Sequence, residues 1–276
     1  MTANLPSFIY GTAWKEDYTS TLVEQALEAG FTGIDTANQR KHYFEEAVGL
    51  GLEKAYAKKI VSREKLFLQS KYTYPNGQDS RKPYDEDTDF ATQVQQSFDS
   101  TLEHLKTDYL DSYILHGPYS AVGLTDEDRQ VWQAMETIFQ QKKVRFLGVS
   151  NISLNQLIEL IDYAGIKPSF VQNRCFAHTE WDKEIRELCI DHKIIYQGFS
   201  LLTANQSELQ NPKIDQISND TGKTKAQVIF RFAQQMKMIP LTGTTDLLHM
   251  KDDLAVTDFE LTQNQLQTIQ VIARPS

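Results

Sequence analysis

The chain has little of what marks secreted and membrane proteins. Its two cysteines, Cys175 and Cys189, are too few for a disulfide framework in 276 residues and fit a reducing compartment. No apolar run approaches the roughly 20 residues that a membrane-spanning helix needs. Residues 1–6 contain neither the basic stretch nor the apolar stretch of a secretion signal. We therefore expect a cytoplasmic protein with no membrane partner.

Positive charge is also in short supply. Lysine and arginine number 28 against 37 aspartates and glutamates, which gives a net charge of −9. Nucleic acids attract proteins through clustered lysine and arginine, and no such cluster occurs, so we expect no nucleic acid partner. His104, His178 and His192 lack metal-ligand spacing with the cysteines or with one another, so no metal site is predicted.

Strand-like and helix-like segments alternate along the chain, and no linker, repeat or low-complexity tract divides it. Short apolar or β-branched runs lie at residues 8–12, 33–36, 66–71, 111–116, 144–150, 170–172, 194–199 and 238–241. Segments of helical period lie at residues 21–29, 45–58, 90–105, 126–141, 154–164, 182–192, 225–235 and 247–256, with a last helix at 262–273. This alternation predicts one α/β domain over residues 1–276, a closed parallel (β/α)8 TIM barrel. A doubly wound sheet is the alternative, but no strand is followed by a glycine-rich phosphate fingerprint.

Four chemically active side chains fall at corresponding places in this pattern. Asp35, Lys71 and His116 each lie where a predicted strand ends, and Tyr43 comes just before a predicted helix. The carboxyl ends of all barrel strands open onto one face, so the four side chains are expected to share one pocket.

These four groups suit the reduction of a carbonyl compound. A tyrosine is a weak acid, with an ordinary pKa of about 10, so a phenol that protonates an alkoxide needs a nearby positive charge. Lys71 can supply that charge, Asp35 can hold its ammonium group, and His116 can orient the carbonyl oxygen by a hydrogen bond. Since none of these groups delivers a hydride, a nicotinamide cofactor is predicted.

Six segments carry a resemblance to a known family. They are Gly-Thr-Ala-Trp at residues 11–14, the stretch 30–49, Ser-Lys at 70–71, the stretch 107–118, the stretch 143–151 and Ile-Pro-Leu-Thr-Gly-Thr at 239–244. In this order they resemble the aldo-keto reductases. The resemblance implies reduction of aldehydes or ketones to alcohols, with Tyr43 as proton donor and Asp35, Lys71 and His116 as its partners.

The resemblance also implies where the cofactor and the substrate bind. The residues implied for the cofactor are Thr12, Ala13, Ser150, Asn151, Gln172, Asn173, Phe199, Thr242, Thr244 and His249. Of the two neighbouring amides, Asn173 is favoured over Gln172. NADPH is expected, with NADH as the other candidate, because Leu241 stands where the family often has a lysine for the 2′-phosphate. The residues implied for the substrate, a small carbonyl compound, are Trp14, Tyr72 and Tyr119.

Three alternatives stay open at this point. Tyr43 follows Asp35 by eight residues, farther than is usual in the family, so His42 could occupy the position of the proton donor. Asp35 and Lys71 could form an ion pair of purely structural purpose. The protein could also be a cofactor-binding regulatory or scaffold protein on the same barrel, like the potassium-channel β subunits, since a fold does not fix a function. The sequence does not predict an oligomeric state.

Overall fold

Parallel strands close into a barrel in the order of the sequence, as their alternation with helices predicts. The computed structural model describes residues 5–274; residues 1–4, part of the segment examined for a secretion signal, and residues 275–276 lie outside it. The strands in the described part are β1 (Ile9–Gly11), β2 (Gly33–Asp35), β3 (Phe67–Tyr72), β4 (Leu110–Leu115), β5 (Val144–Ser150), β6 (Phe170–Arg174), β7 (Ile195–Phe199) and β8 (Met238–Thr242). β8 pairs with β1 and closes the barrel. The predicted TIM barrel is confirmed, and the strand bounds differ from the predicted ones by at most two residues.

Helices follow the strands and pack around them. Between residues 5 and 274 they are α1 (Thr19–Ala29), α2 (Glu45–Ala57), α3 (Phe90–Leu105), α4 (Asp126–Gln140), α5 (Leu154–Tyr163), α6 (Lys183–Asp191), α7 (Pro212–Thr221), α8 (Lys225–Gln235), α9 (Leu247–Leu254) and α10 (Gln263–Gln270). None of these helices is both long enough and apolar enough to cross a membrane. α7 has no counterpart among the predicted helices, although Asn211 as its cap and Pro212 at its first position are ordinary start signals.

The strand side chains alternate between the barrel interior and the layer of helices. An apolar cluster formed by strand residues fills part of the interior; its buried members are Ile9, Phe67, Ile114, Phe170 and Leu241. A second, larger cluster joins the outward-facing strand residues to the helices. In β3, Phe67 and Lys71 therefore point inward, whereas Leu68 and Tyr72 point outward.

α2 and α3 approach each other closely at Gly49. A Cβ atom at this position would lie 1.9 Å from the carbonyl oxygen of His104, so a side chain here would force the helices apart. The contact brings the first turn of α2, with Glu45 and Glu46, beside His104 of α3. The segment that leads into α2 is thereby fixed against the barrel, and Tyr43 lies in that segment.

Candidate active site

A buried ion pair joins two neighbouring strands at the mouth of the barrel. Lys71 Nζ lies 2.7 Å from each carboxylate oxygen of Asp35 and donates to the carbonyl oxygen of Thr36 at 2.8 Å. Lys71 is fully buried and Asp35 is 3 % exposed. Burial lowers the pKa of Lys71, and Asp35 and Glu45 act in the opposite direction.

The ring of Tyr43 lies beside this ion pair, whereas the ring of His42 packs elsewhere. The Tyr43 ring centroid lies 5.3 Å from Lys71 Nζ and 5.9 Å from the ring centroid of His116. Burial, with a smaller contribution from Asp35, raises the pKa of Tyr43 above its ordinary value. His42 instead packs against Trp14, with 4.1 Å between their ring centroids. Of the two residues left open by the sequence, the structure therefore brings Tyr43 into the group.

The residues between the acid and the phenol form a turn that is anchored at two points. The backbone N–H groups of residues 42 and 43 donate to the Gln39 carbonyl oxygen at 3.1 and 2.9 Å. Asn38 Nδ2 donates to the Ser97 carbonyl oxygen of α3 at 3.1 Å, and Gln39 Nε2 donates to the Gly77 carbonyl oxygen at 2.6 Å. The turn accommodates the unusually long spacing between Asp35 and Tyr43, so Tyr43 still lies at the mouth of the barrel.

His116 completes the group from the end of β4. Its Nδ1 lies 2.7 Å from the hydroxyl oxygen of Thr73, which fixes the plane of the ring. Burial, and then the positive charge of Lys71, lowers the pKa of His116 well below its ordinary value. The imidazole is therefore neutral at neutral pH, with one nitrogen held by Thr73 and the other available to a ligand.

β5 and β6 supply the hydrogen-bonding groups expected beside a nicotinamide, but the two adjacent amides of β6 differ in direction. Gln172 points into the barrel, where its Nε2 donates to Asp35 Oδ1 at 3.0 Å. Asn173 points outward and holds the backbone of Ile152, accepting from its N–H at 3.0 Å and donating to its carbonyl oxygen at 2.9 Å. The preference for Asn173 as a ligand residue is therefore corrected in favour of Gln172, because strand side chains alternate.

Ser150 and Asn151 also lie at the mouth, and both already bond to the protein. The Ser150 hydroxyl donates to the Gln172 carbonyl oxygen at 2.6 Å. Asn151 Nδ2 donates to the His116 carbonyl oxygen at 2.8 Å. Asn151 has a φ of 52°, a left-handed conformation in which asparagine is among the tolerated residues. Asn151 is exposed at the end of the barrel where Asp35, Lys71 and His116 lie, whereas Ser150 is almost fully buried.

The other cofactor candidates are spread around the same end. Thr12 is buried and donates through both its hydroxyl and its N–H to the Asp35 carbonyl oxygen at 3.0 Å. Ala13, next to it, is half-buried. Phe199 ends β7, half-buried, with the Arg174 guanidinium 5.7 Å from its ring centroid.

The segment after β8 contains the candidates for the phosphate-bearing part of a nucleotide. Thr242 is buried at the end of β8, and the Thr244 carbonyl oxygen accepts from the Tyr10 hydroxyl at 2.9 Å. Asp246 caps α9 and accepts from the N–H groups of Leu248 and His249 at 2.7 and 3.2 Å. The His249 side chain is exposed. The first turn of α9 is therefore occupied by a carboxylate of the chain itself.

A family model described as the aldo/keto reductase family matches residues 9–274. This chain belongs to the aldo/keto reductase family. Carbonyl reduction and the use of a nicotinamide cofactor are the general chemistry of that family.

Named relatives agree with this assignment. The chain is 31 % identical to glyoxal reductase of Bacillus subtilis (strain 168) over 250 residues, which cover 91 % of this chain and 82 % of that protein. It is 26 % identical to the NADP-dependent D-sorbitol-6-phosphate dehydrogenase of Malus domestica, over 94 % of this chain and 87 % of that protein. A crystal structure of an aldo/keto reductase from Brucella melitensis superposes with a TM-score of 0.82 at 25 % identity, covering 97 % of this chain and 95 % of that chain.

The three residues expected to line the substrate pocket of this aldo/keto reductase lie in different places. Trp14 is 70 % exposed at the rim, and Tyr119, 41 % exposed, packs on Tyr74. Tyr72 is fully buried, and its hydroxyl donates to Gln93 Oε1 of α3 at 3.2 Å. Tyr72 points outward from β3, into the layer of helices, so it does not line the mouth and is removed from the substrate set.

Four residues at the mouth of this aldo/keto reductase are absent from the sequence-based set. Gln69 and Gln197 each lie two residues before a predicted site residue of the same strand, and Thr73 lies two residues after Lys71, just beyond the end of β3. Lys15 donates to the Gly243 carbonyl oxygen beside the β8 segment. Because side chains two apart on a strand share a face, the alternation around Lys71 and Phe199 is the signal that could have found the first three. No local pattern marks Lys15.

A cleft of about 380 Å³ lies beside Tyr43, between the loop that carries it and α3. Buried Glu45 accepts from the Ser70 hydroxyl, and its Oε2 lies 3.2 Å from His104 Nδ1. His104 Nε2 lies 3.2 Å from Glu46 Oε1. Burial acts to lower the pKa of His104, but the two carboxylates outweigh it and the pKa is raised. His104 thereby links α3 to the first turn of α2, which begins two residues after Tyr43.

Proposed function

We propose that this protein reduces aldehydes or ketones to alcohols with NADPH or NADH as the hydride donor, and that Tyr43 is the proton donor. The observation that carries the proposal is the convergence of four groups from separate elements. The Tyr43 ring lies within 5.3 Å of Lys71 Nζ and 5.9 Å of the His116 ring, and Lys71 is paired with Asp35.

Each of the four groups has a distinct part in this proposal. The raised pKa of Tyr43 keeps the phenol protonated in the resting protein. As negative charge develops on the carbonyl oxygen, the phenol transfers its proton, and the ammonium of Lys71 stabilises the phenolate that remains. Asp35 keeps Lys71 in place and favours its charged form.

His116 orients the substrate in this proposal. The imidazole is neutral, so when the Thr73 hydroxyl donates to Nδ1, the single ring proton is on Nε2. An Nε2–H group donates to the carbonyl oxygen and polarises it without a proton transfer of its own. A neutral ring also avoids adding a second positive charge next to Lys71.

The residues around the mouth fit a nicotinamide cofactor, which supplies the hydride when bound. Gln172, buried beside Asp35, has an amide oxygen with no donor among residues 5–274, so it can accept from the carboxamide of the nicotinamide. Phe199 offers a half-buried aromatic face at the end of β7. Ser150, Asn151, Thr12 and Ala13 complete the rim near the nicotinamide.

The cofactor preference depends on the segment after β8. We retain NADPH as the proposed cofactor, supported by the family and by the NADP-dependent relative. Thr242, Thr244 and His249 are the proposed contacts for its phosphate-bearing part, and Lys15 adds a cation beside Gly243. Because Asp246 occupies the first turn of α9, the 2′-phosphate gains little from that helix, so use of NADH is compatible with this site.

The experiment is to follow the loss of NADPH and then NADH absorbance with a panel of aliphatic and aromatic aldehydes and ketones. Turnover of any carbonyl supports the proposal. Tyr43→Phe should lower kcat by on the order of 10²- to 10⁴-fold while sparing nucleotide affinity. His42→Ala is the matched control and should lower kcat by less than about tenfold.

Two results would contradict this proposal in different ways. If His42→Ala costs more than Tyr43→Phe, the proton donor is His42. If the wild-type protein binds the nucleotide tightly but reduces no carbonyl compound, the regulatory alternative replaces the enzyme.

A further inference from the structure

Three buried glutamines lie beneath the ion pair, one on each of β3, β6 and β7. Gln69 and Gln197 are fully buried, and Gln172 is 3 % exposed. Gln69 Nε2 donates to Asp35 Oδ1 at 2.7 Å and to Gln197 Oε1 at 2.9 Å. Gln172 Nε2 donates to the same two oxygens, at 3.0 and 2.9 Å. Gln197 Nε2 donates back to Gln69 Oε1 at 3.1 Å.

The carboxylate of Asp35 determines the direction of all three amides. An ionised carboxylate can only accept, so the groups that Gln69 and Gln172 turn toward it must be their NH2 groups. Each of these NH2 groups also reaches Gln197 Oε1, so the Gln197 NH2 group must face Gln69 Oε1. Turning any one amide over would set two donors or two acceptors against each other.

This arrangement leaves one amide atom free. Within residues 5–274, Gln172 Oε1 is the only terminal amide atom of the three glutamines that has no hydrogen-bonding partner. It is an acceptor, and the direction of its amide is fixed by Asp35 and Gln197. A ligand group that binds Gln172 Oε1 must therefore be an N–H or O–H donor.

We propose that Gln69 and Gln197 are positioning residues with two effects, an inference that rests on the function proposed above. The first effect is on the ion pair: the amide donors hold the Asp35 carboxylate in the position from which it binds the Lys71 ammonium, the group that Tyr43 needs. The second is on the cofactor: they hold Gln172 so that its oxygen recognises the NH2 group of the nicotinamide carboxamide.

The test replaces each glutamine by methionine, which has a similar volume but no amide. Gln69→Met removes a donor from Asp35 directly, so kcat should fall by on the order of tenfold to 100-fold. Gln197→Met acts only through the other two amides, so it should lower kcat less than Gln69→Met does. Because both changes act on one carboxylate, the fold loss of kcat in the double variant should be much smaller than the product of the two single-variant losses. Gln93→Met is the control, since Gln93 is a buried glutamine of α3 that donates to loop carbonyl oxygens and accepts from the Tyr72 hydroxyl.

A binding measurement tests the second effect without turnover. Dissociation constants are measured by calorimetry for NADP⁺ and for its 3-acetylpyridine analogue, which has an acetyl group in place of the carboxamide and so lacks the NH2 group. The wild-type protein and Gln93→Met should bind NADP⁺ more tightly than the analogue. In Gln69→Met and Gln197→Met this preference should shrink by several-fold, toward equal affinity.

The possible outcomes separate this inference from the proposed function. If the wild-type protein reduces carbonyl compounds but neither the preference nor kcat changes in the methionine variants, the glutamines are structural only and the inference is wrong. If the wild-type protein binds NADP⁺ without reducing any carbonyl compound, the proposed function fails. The second effect is then still tested by whether the preference for NADP⁺ over the analogue shrinks in the methionine variants. An absence of binding of both NADP⁺ and NAD⁺ overturns both.

Discussion

Replacing Asp253 by asparagine should make this protein more stable at neutral pH. Asp253 lies on α9, 4 % exposed, where its carboxyl group interacts with the hydroxyl of Thr242. Burial raises the pKa of Asp253 from 3.8 to about 6, and the Thr242 hydrogen bond only partly opposes this. The folded protein therefore holds the proton of Asp253 more tightly than the unfolded chain does.

The size of the effect follows from that difference. About two pH units correspond to about 3 kcal/mol of free energy. Because the folded-state pKa is the higher one, the cost is absent below about pH 4, where both states are protonated. It grows as the pH rises toward 6 and is constant above, where both states are ionised. Asp253→Asn removes a charge but keeps an acceptor for Thr242.

The assay is urea unfolding of the wild-type protein and the variant at about pH 4.5, 6 and 7.5. The variant should exceed the wild type by only about 1 kcal/mol at the lowest pH and by about 3 kcal/mol at the highest. Asp252→Asn, at the exposed neighbouring position, should show no such pH-dependent gain. A difference that does not grow with pH would refute the reasoning.

Two further predictions concern the charged groups beside Tyr43. Lys71→Met leaves the Asp35 carboxylate buried with two amide donors and should cost about 3–5 kcal/mol of stability. Lys71→Met/Asp35→Asn should recover much of that stability but no activity; urea unfolding that ranks the single variant as the more stable would contradict this. His104 has a raised pKa in the folded state, so its contacts stabilise the protein fully below its unfolded pKa and less as the pH rises through the folded one. The stability advantage of the wild type over His104→Gln, on the order of 1 kcal/mol at about pH 6, should therefore shrink at about pH 9, and a constant difference would count against it.

Much of the fold is readable from the sequence because the strand and helix periods are strong. All eight predicted strands occur, and the strand ends bring Asp35, Lys71 and His116 to one mouth. The helix at Pro212–Thr221 is not among those predicted, since its apolar pattern is short and only Ile214 and Ile217 are buried. A short helix of this kind is decided by its packing partners more than by its own sequence.

The errors in the site arise where the direction of a side chain matters. Tyr72 and Asn173 each lie next to a site residue in sequence, but neighbouring strand residues point to opposite faces. The partners of Gln69 are distant in sequence, on β2 and β7, so no local pattern contains them. The choice between His42 and Tyr43 depends on a turn anchored to α3, which becomes visible only in three dimensions.

That anchored turn bears on how such enzymes are recognised and how they diverge. The chemistry requires a phenol near an ammonium, and it does not constrain the number of residues that separate them along the chain. A loop whose additional residues form a turn, held by hydrogen bonds of Asn38 and Gln39, can lengthen over evolution without moving the phenol. Motif searches that count residues from the aspartate would pass over Tyr43, the proposed proton donor, whereas searches by position in space would find it.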